Sequence, residues 1–182
     1  MAHIHTEPDQ YDFTASAYIV RIDGDEPTII MHKHLKLNTY LQFGGHVELH
    51  EHPWAAVTHE IREESGYGMH QLKLLQPPLP SLTLSNSVLH PTPVAVLSIR
   101  FGKSDHYHTD IAYAFVTDTE PADALGEGES SDIRAFTADE LRALPSEDIP
   151  ENVRELSLYI LQECVPHWTK TDSASFAAIN PL

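Results

Sequence analysis

A chain of 182 residues with a hydrophobic fraction of 41% is long enough for one domain with a real core, with or without short tails. Its 27 acidic against 11 basic residues give a formal net charge of −16, which weighs against a nucleic-acid polymer as partner, since such binders need a basic footprint. No apolar run approaches the roughly 20 residues needed to cross a membrane, so no membrane partner is expected. The start, MAHIHTEPDQYDF, has neither a basic stretch nor an apolar core, so no secretory signal is expected. The single cysteine, Cys164, leaves no intramolecular disulfide, and the expected compartment is a reducing cytoplasm. An acidic protein still binds small polyphosphates when metal ions neutralise them.

In chain order, Ala15 to Val20 (ASAYIV) predicts a strand, Asp23-Gly24-Asp25 a turn, and Pro27 to His32 a second strand. Leu35 to Leu41 leads into an expected loop at Gly44 and Gly45. Pro53 to Ser65 predicts a helix, with Pro53 suited to its first turn and Gly66 to its C-terminal stop. Trp54, Val57 and Ile61 form its apolar stripe. Leu72 to Leu75 is a short candidate strand, and Gln76 to Ser81 a proline-rich loop. Val94 to Arg100 and Ile111 to Thr117 are further strands, separated by the polar GKSDHYHTD segment. Thr119 to Ser131 is an acidic loop, Ile133 to Phe136 a strand, and Thr137 to Leu144 a short capped helix. A longer helix begins near Pro150 with Val153, Leu156, Ile160, Leu161 and Cys164 on its apolar face. Residues 1–12 are thus expected as an N-terminal segment, 13–165 as one α/β domain, and 166–182 as an irregular tail.

The densest chemistry lies in Gly45 to Tyr67, GHVELHEHPWAAVTHEIREESGY. Glu60, Glu63 and Glu64 fall within an arc of about 100° on a helix. Three acids on one face repel each other, and a solvated helix has little reason to gather them. A hard divalent cation supplies the reason, because Mg²⁺ is held by a few carboxylates, water and substrate phosphates. The alternative is an ordinary acidic face.

Gly45, five residues, Glu51, seven residues, and then His59-Glu60-Ile61-Arg62-Glu63-Glu64-Ser65-Gly66-Tyr67 closely resembles the Nudix box. One fixed position departs: His59 stands where the family has arginine. Glu129 to Leu141, ESSDIRAFTADEL, resembles the strand-then-helix stretch late in these domains. The resemblance implies the Nudix fold, a mixed β-sheet sandwiched between α-helices, with the box as loop–helix–loop. It implies a hydrolase that cleaves a nucleoside diphosphate linked to another group, dependent on Mg²⁺ or Mn²⁺. Glu60, Glu63 and Glu64 then match the family's metal-binding glutamates, and the Gly45 carbonyl a frequent backbone ligand.

In the family Glu51 commonly pairs with the box arginine, so His59 is expected to take over that contact. Arginine is always charged, whereas histidine is charged only part of the time near neutral pH. The box therefore either keeps its support through a hydrogen bond or is weakened. The resemblance implies a general base that is either a box glutamate, with Glu60 the candidate, or an acid from a loop outside the box, with Glu129 ranked ahead of Glu127.

Histidines form two further groups. His46, His50 and His52 lie in the loop expected to approach phosphate. If the HYHTD segment is extended, His106, His108 and Asp110 fall on one side. His46, His106, His108 and Asp110 are candidate contacts to substrate, or to Zn²⁺ or another transition metal if they converge. Solvated loop histidines and hydrogen-bonded strand ends are the alternative. An isoprenoid diphosphate isomerase of the same superfamily would need an active-site cysteine, and Cys164 sits in the late helix. A nucleotide-sensing module without catalysis is the reading from another class. Tyr11, Tyr18, Tyr40, Phe43 and Tyr113 are candidate stacking contacts for a nucleotide-like substrate, with a monomer or homodimer expected.

Overall fold

The computed structural model describes residues 7–79, 82, 84–100 and 106–176. Two long strands, β1 (Tyr11–Arg21) and β7 (Tyr107–Thr117), run parallel and in register from Tyr11 opposite Tyr107 to Arg21 opposite Thr117. Each is flanked by two shorter antiparallel partners. Along β1, the strand β4 (Phe43–His46) takes the first half and β2 (Thr28–Lys33) the second. Along β7, β6 (Ala95–Ile99) takes the first half and β5 (Lys73–Gln76) the second. β3 (Tyr40–Leu41) and β8 (Ile133–Phe136) both pair with β2, and β9 (Thr169–Asp172) pairs with β5.

Because β1 is buried on both faces, it reads as an apolar run, and its alternation divides the core. Ala15, Ala17 and Ile19 pack with Phe43, Phe115, Trp54 and Val57 of α1 (Pro53–Glu60), and Ile61 just beyond it. Tyr18 and Val20 face the other way, into a core with Met31, Leu141 of α2 (Ala138–Ala143), Val153 of α3 (Glu151–Tyr159), Ile160 and Cys164. The chain is a mixed sheet between helices, as expected from the box.

Local chemistry fixes the box helix. His52 caps α1 by accepting the Ala55 N–H at Nδ1 at 3.0 Å, and Pro53 occupies the first turn. Past Glu60 the helix continues as a wider π turn, Ile61–Ser65, and ends at Gly66 with φ of 71°. That left-handed residue suits glycine. α2 carries the capping box expected from Thr137, whose Oγ1 accepts the Glu140 N–H while the Glu140 carboxylate accepts the Thr137 N–H.

Four expectations are corrected. Gly44 and Gly45 lie in β4 and not in a loop. A Cβ on Gly44 would stand 2.3 Å from the Ala15 carbonyl oxygen, so glycine serves close strand approach there. The HYHTD residues from Tyr107 on are the start of β7, because parallel pairing with β1 extends to that end; residues 101–105 of the polar segment lie outside the described residues. The segment after Pro166 is not irregular: β9 adds a strand beside β5, and the Trp54 indole N–H donates to the Phe176 carbonyl at 3.1 Å. β1 also begins at Tyr11, inside the expected N-terminal segment. Residues 1–6, 80, 81 and 177–182 lie outside the described residues.

Candidate active site

Two glycines of β4 meet two glutamates of the box helix. A Cβ on Gly45 would lie 2.1 Å from Glu60 Oε1, so the absent side chain is what admits the carboxylate. The Gly44 N–H donates to Glu64 Oε2 at 2.7 Å. Glu60 and Glu64 are buried, at 9% and 3% exposure, while Glu63 is exposed. Burial pushes the Glu64 carboxyl up to about 8, against the Gly44 hydrogen bond, and the charges of Glu60, Glu129 and Glu63 add to the rise. Glu60 is raised too, again chiefly by burial; the neighbouring His59 opposes the rise, and Glu63 and Glu129 reinforce it.

Glu129 reaches this group from the acidic loop. The Gly126 N–H donates to the Glu63 carbonyl at 2.7 Å, and a Cβ on Gly126 would lie 3.3 Å from Glu63 Cβ and 3.4 Å from Glu129 Cγ. The loop is therefore docked on the end of the box helix, and Glu129 raises the titration of both Glu60 and Glu64. Glu127 is exposed and is not among the leading charges that perturb them.

The expected contact of Glu51 with His59 is present: Nδ1 lies 3.3 Å from Glu51 Oε2. The ring also reaches Glu60, with Nε2 3.5 Å from Oε1. A neutral imidazole carries one N–H and serves one of these acids as donor; the protonated ring serves both.

The candidate donors in the box are all oxygen, from Glu60, Glu63, Glu64 and the Gly45 carbonyl, which is the chemistry of Mg²⁺ or Mn²⁺. The buried, mutually repelling carboxylates, with Glu60 brought against the Gly45 backbone, fit such a cation. Among the described residues, no three His, Cys, Asp or Glu side chains are already closed into a metal cluster.

The second set of candidates shares one sheet face. Thr14 is opposite both His46 and Asp110, and Asp12 is opposite His108. His46 Nε2 lies 3.3 Å from Asp12 Oδ2, and the Nε2 atoms of His106 and His108 are 3.2 Å apart. Asp110 Oδ1 accepts hydrogen bonds from Thr14 Oγ1 and Ser16 Oγ, each at 2.8 Å. His106, His108 and Asp110 share a side as their spacing predicted, and His46 joins them from β4, but the described residues form no closed Zn²⁺-type cluster. Successive strand residues point to opposite faces, so His46 is turned away from the Gly45–Glu60 contact. Of the other loop histidines, His52 is the cap of α1 and His50 is exposed.

Of the aromatic candidates, Tyr18, Tyr40, Phe43 and Tyr113 are buried, and Tyr11 is exposed, stacked on Tyr107 at 5.1 Å. Cys164 lies in the core, its thiol pushed up to about 11 chiefly by burial, which suits packing and not catalysis. His32 escaped the sequence reasoning. It is buried in β2 with Nδ1 4.0 Å from Glu64 Oε1. Its signal was a polar residue closing the apolar run Ile29-Ile30-Met31.

The NUDIX domain family model matches residues 12–157. The chain belongs to the Nudix family. Its class is that of a pyrophosphohydrolase acting on acid anhydrides. A hydrolase of the NUDIX family from Clostridium perfringens is similar at 26% identity and a TM-score of 0.67, over 82% of this chain and 95% of that one. The C. elegans Ap4A hydrolase in a binary complex shares the fold at 15% identity and a TM-score of 0.58, over 81% of this chain and 94% of that one. The NUDIX domain of Shewanella oneidensis NrtR complexed with ADP ribose does so at 10% identity and a TM-score of 0.57, over 84% and 86%. A search of curated proteins returns no match.

Proposed function

We propose that this chain is a metal-dependent hydrolase that cleaves a phosphoanhydride bond in a nucleoside diphosphate linked to another group, with water attacking phosphorus. The observation that carries this is the pairing of buried Glu60 and Glu64 with Gly45 and Gly44 of β4. Such a pair is costly to ionise and becomes useful when a cation offsets the charge.

Glu60, Glu63, Glu64 and the Gly45 carbonyl are the residues that would hold Mg²⁺ or Mn²⁺. A cation bound there supplies charge neutralisation at phosphate oxygens and lowers the pKa of a bound water. The protein's own part is positioning. Gly44 anchors one oxygen of Glu64, His59 ties Glu60 to Glu51, and Gly126 fastens the Glu129 loop to Glu63. Glu129, beside Glu60 and Glu64 in charge, is our candidate to accept the water's proton. Among the described residues no helix is long and apolar enough to cross a membrane; the cytoplasm is the compartment this reading assumes.

The test is phosphate release from nucleoside di- and triphosphates, nucleotide sugars, dinucleoside polyphosphates and ADP-ribose, with Mg²⁺ or Mn²⁺. Turnover of at least one compound is expected, lost in Glu63→Gln and Glu64→Gln with the fold intact. Normal turnover in those variants removes the metal-site assignment. Nucleotide binding without turnover of any compound makes the chain a sensing module, the outcome that His59 in place of arginine would favour.

A further inference from the structure

A histidine inside a sheet core is expensive unless its polar atoms find partners. His32 is 3% exposed, its strand is paired on both sides, with Leu41 and Ile133 opposite it, and the Phe43 ring lies 5.3 Å from its own. The three residues before it are Ile29, Ile30 and Met31, all buried. An aliphatic side chain would continue that run at no polar cost. Instead Nδ1 is buried without a hydrogen bond, 4.0 Å from Glu64 Oε1. The other oxygen of Glu64 is already fixed by the Gly44 N–H at 2.7 Å. Gly44 is held in place by antiparallel pairing opposite Ser16 of β1, at a φ of 140° where a Cβ would strike the Ala15 carbonyl oxygen.

We propose that His32 is a positioning residue for Glu64: its Nδ1–H donates to Oε1 and, with the Gly44 N–H on Oε2, orients the carboxylate toward the cation. The inference rests on the assignment of Glu64 as a metal-binding carboxylate. A neutral imidazole has one N–H to place, and Glu64 Oε1 is the acceptor that its Nδ1 faces. Closing 4.0 Å to hydrogen-bond length takes a shift of about 1 Å. A residue that orients a ligand through a hydrogen bond acts on affinity without touching the metal.

Two measurements test this. Long-range ¹H–¹⁵N spectra of the wild-type protein with Mg²⁺ should show His32 as the Nδ1–H tautomer; the Nε2–H tautomer there overturns the proposal. Mn²⁺ binding, read by paramagnetic resonance, should weaken on the order of tenfold in His32→Phe, which keeps a ring against Phe43. His32→Asn, whose amide can donate from near the Nδ1 position, should stay within about twofold of wild type. Equal loss in both variants, or none in either, reduces His32 to packing. Glu64→Gln separates the two assignments. If it binds Mn²⁺ like wild type, the metal role of Glu64 fails; if it alone loses binding, only the role of His32 fails.

Discussion

Gly45 stands where a Cβ would be 2.1 Å from Glu60 Oε1, so the strand and the box helix touch through a missing side chain. Its neighbour Gly44 is constrained differently, because a Cβ there would strike the backbone of Ala15 and Ser16 at 2.3 and 2.8 Å. A carboxylate at the end of a flexible side chain can turn aside; a strand backbone cannot. Gly45→Ala should therefore unfold within about 1 kcal/mol of wild type but lose turnover at least tenfold as Glu60 is displaced. Gly44→Ala should destabilise by about 3 kcal/mol or more, from strain at positive φ added to the clash. Urea titrations with phosphate-release assays on both variants check the contrast. Equal stability losses would contradict it.

Glu64 gives the metal-free protein a pH signature. Its folded-state value, about 8, lies above the ordinary 4.5, so the folded state holds that proton more tightly than the unfolded chain. Stability should then fall as pH rises from about 4.5 to about 8, on the order of a few kcal/mol in this one group's share. Glu64→Gln should flatten that part of the profile. Saturating Mg²⁺ should raise Tm at pH 8 in wild type and much less in the variant, since binding to the folded state alone stabilises it. Calorimetry across pH with and without Mg²⁺ measures both effects. A wild-type profile parallel to that of Glu64→Gln would contradict the assignment.

His59 bridges Glu51 and Glu60 at 3.3 and 3.5 Å, and a neutral ring can donate to one of them only. Arginine would carry charge at every working pH and present a fork of donors to both carboxylates. His59→Arg should keep or raise kcat, because the fork serves Glu51 and Glu60 together. Matched pH–rate profiles with wild type ahead throughout would rule this out.

How far the site was legible follows from the kind of contact involved. Glu60, Glu63 and Glu64 are neighbours along one helix, so their grouping followed from helical periodicity, and Glu51–His59 followed from the resemblance to the Nudix box, where the residue at 59 pairs with that acid. The strand status of Gly44 and Gly45 was hidden because two glycines suggest a turn, and the close approach of β1 that demands them is a long-range fact. The same holds for β9, whose Thr169–Asp172 sequence is too polar to announce a strand until β5 offers it an edge. His32 was invisible for a related reason: its partner Glu64 lies 32 positions away and no local pattern links them. The histidine face was half legible. Strand alternation put His106, His108 and Asp110 together, but the Thr14 and Ser16 hydroxyls that occupy Asp110 come from β1.

The late loop offers two acids, and the fold separates them. Glu129 is among the leading charges that raise both Glu60 and Glu64, whereas Glu127 is exposed and is not. If Glu129 accepts the proton of the attacking water, Glu129→Gln should lower kcat on the order of a hundredfold or more, with KM little changed. Glu127→Gln should stay within about twofold of wild type, as surface substitutions do. Removing the Glu129 charge also removes a repulsion felt by Glu64, so the decline of metal-free stability with rising pH should be shallower in Glu129→Gln. That second effect tests proximity separately from chemistry. A shallower pH slope with unchanged kcat would leave Glu129 beside the site but not acting as its base, and the role would pass to Glu60.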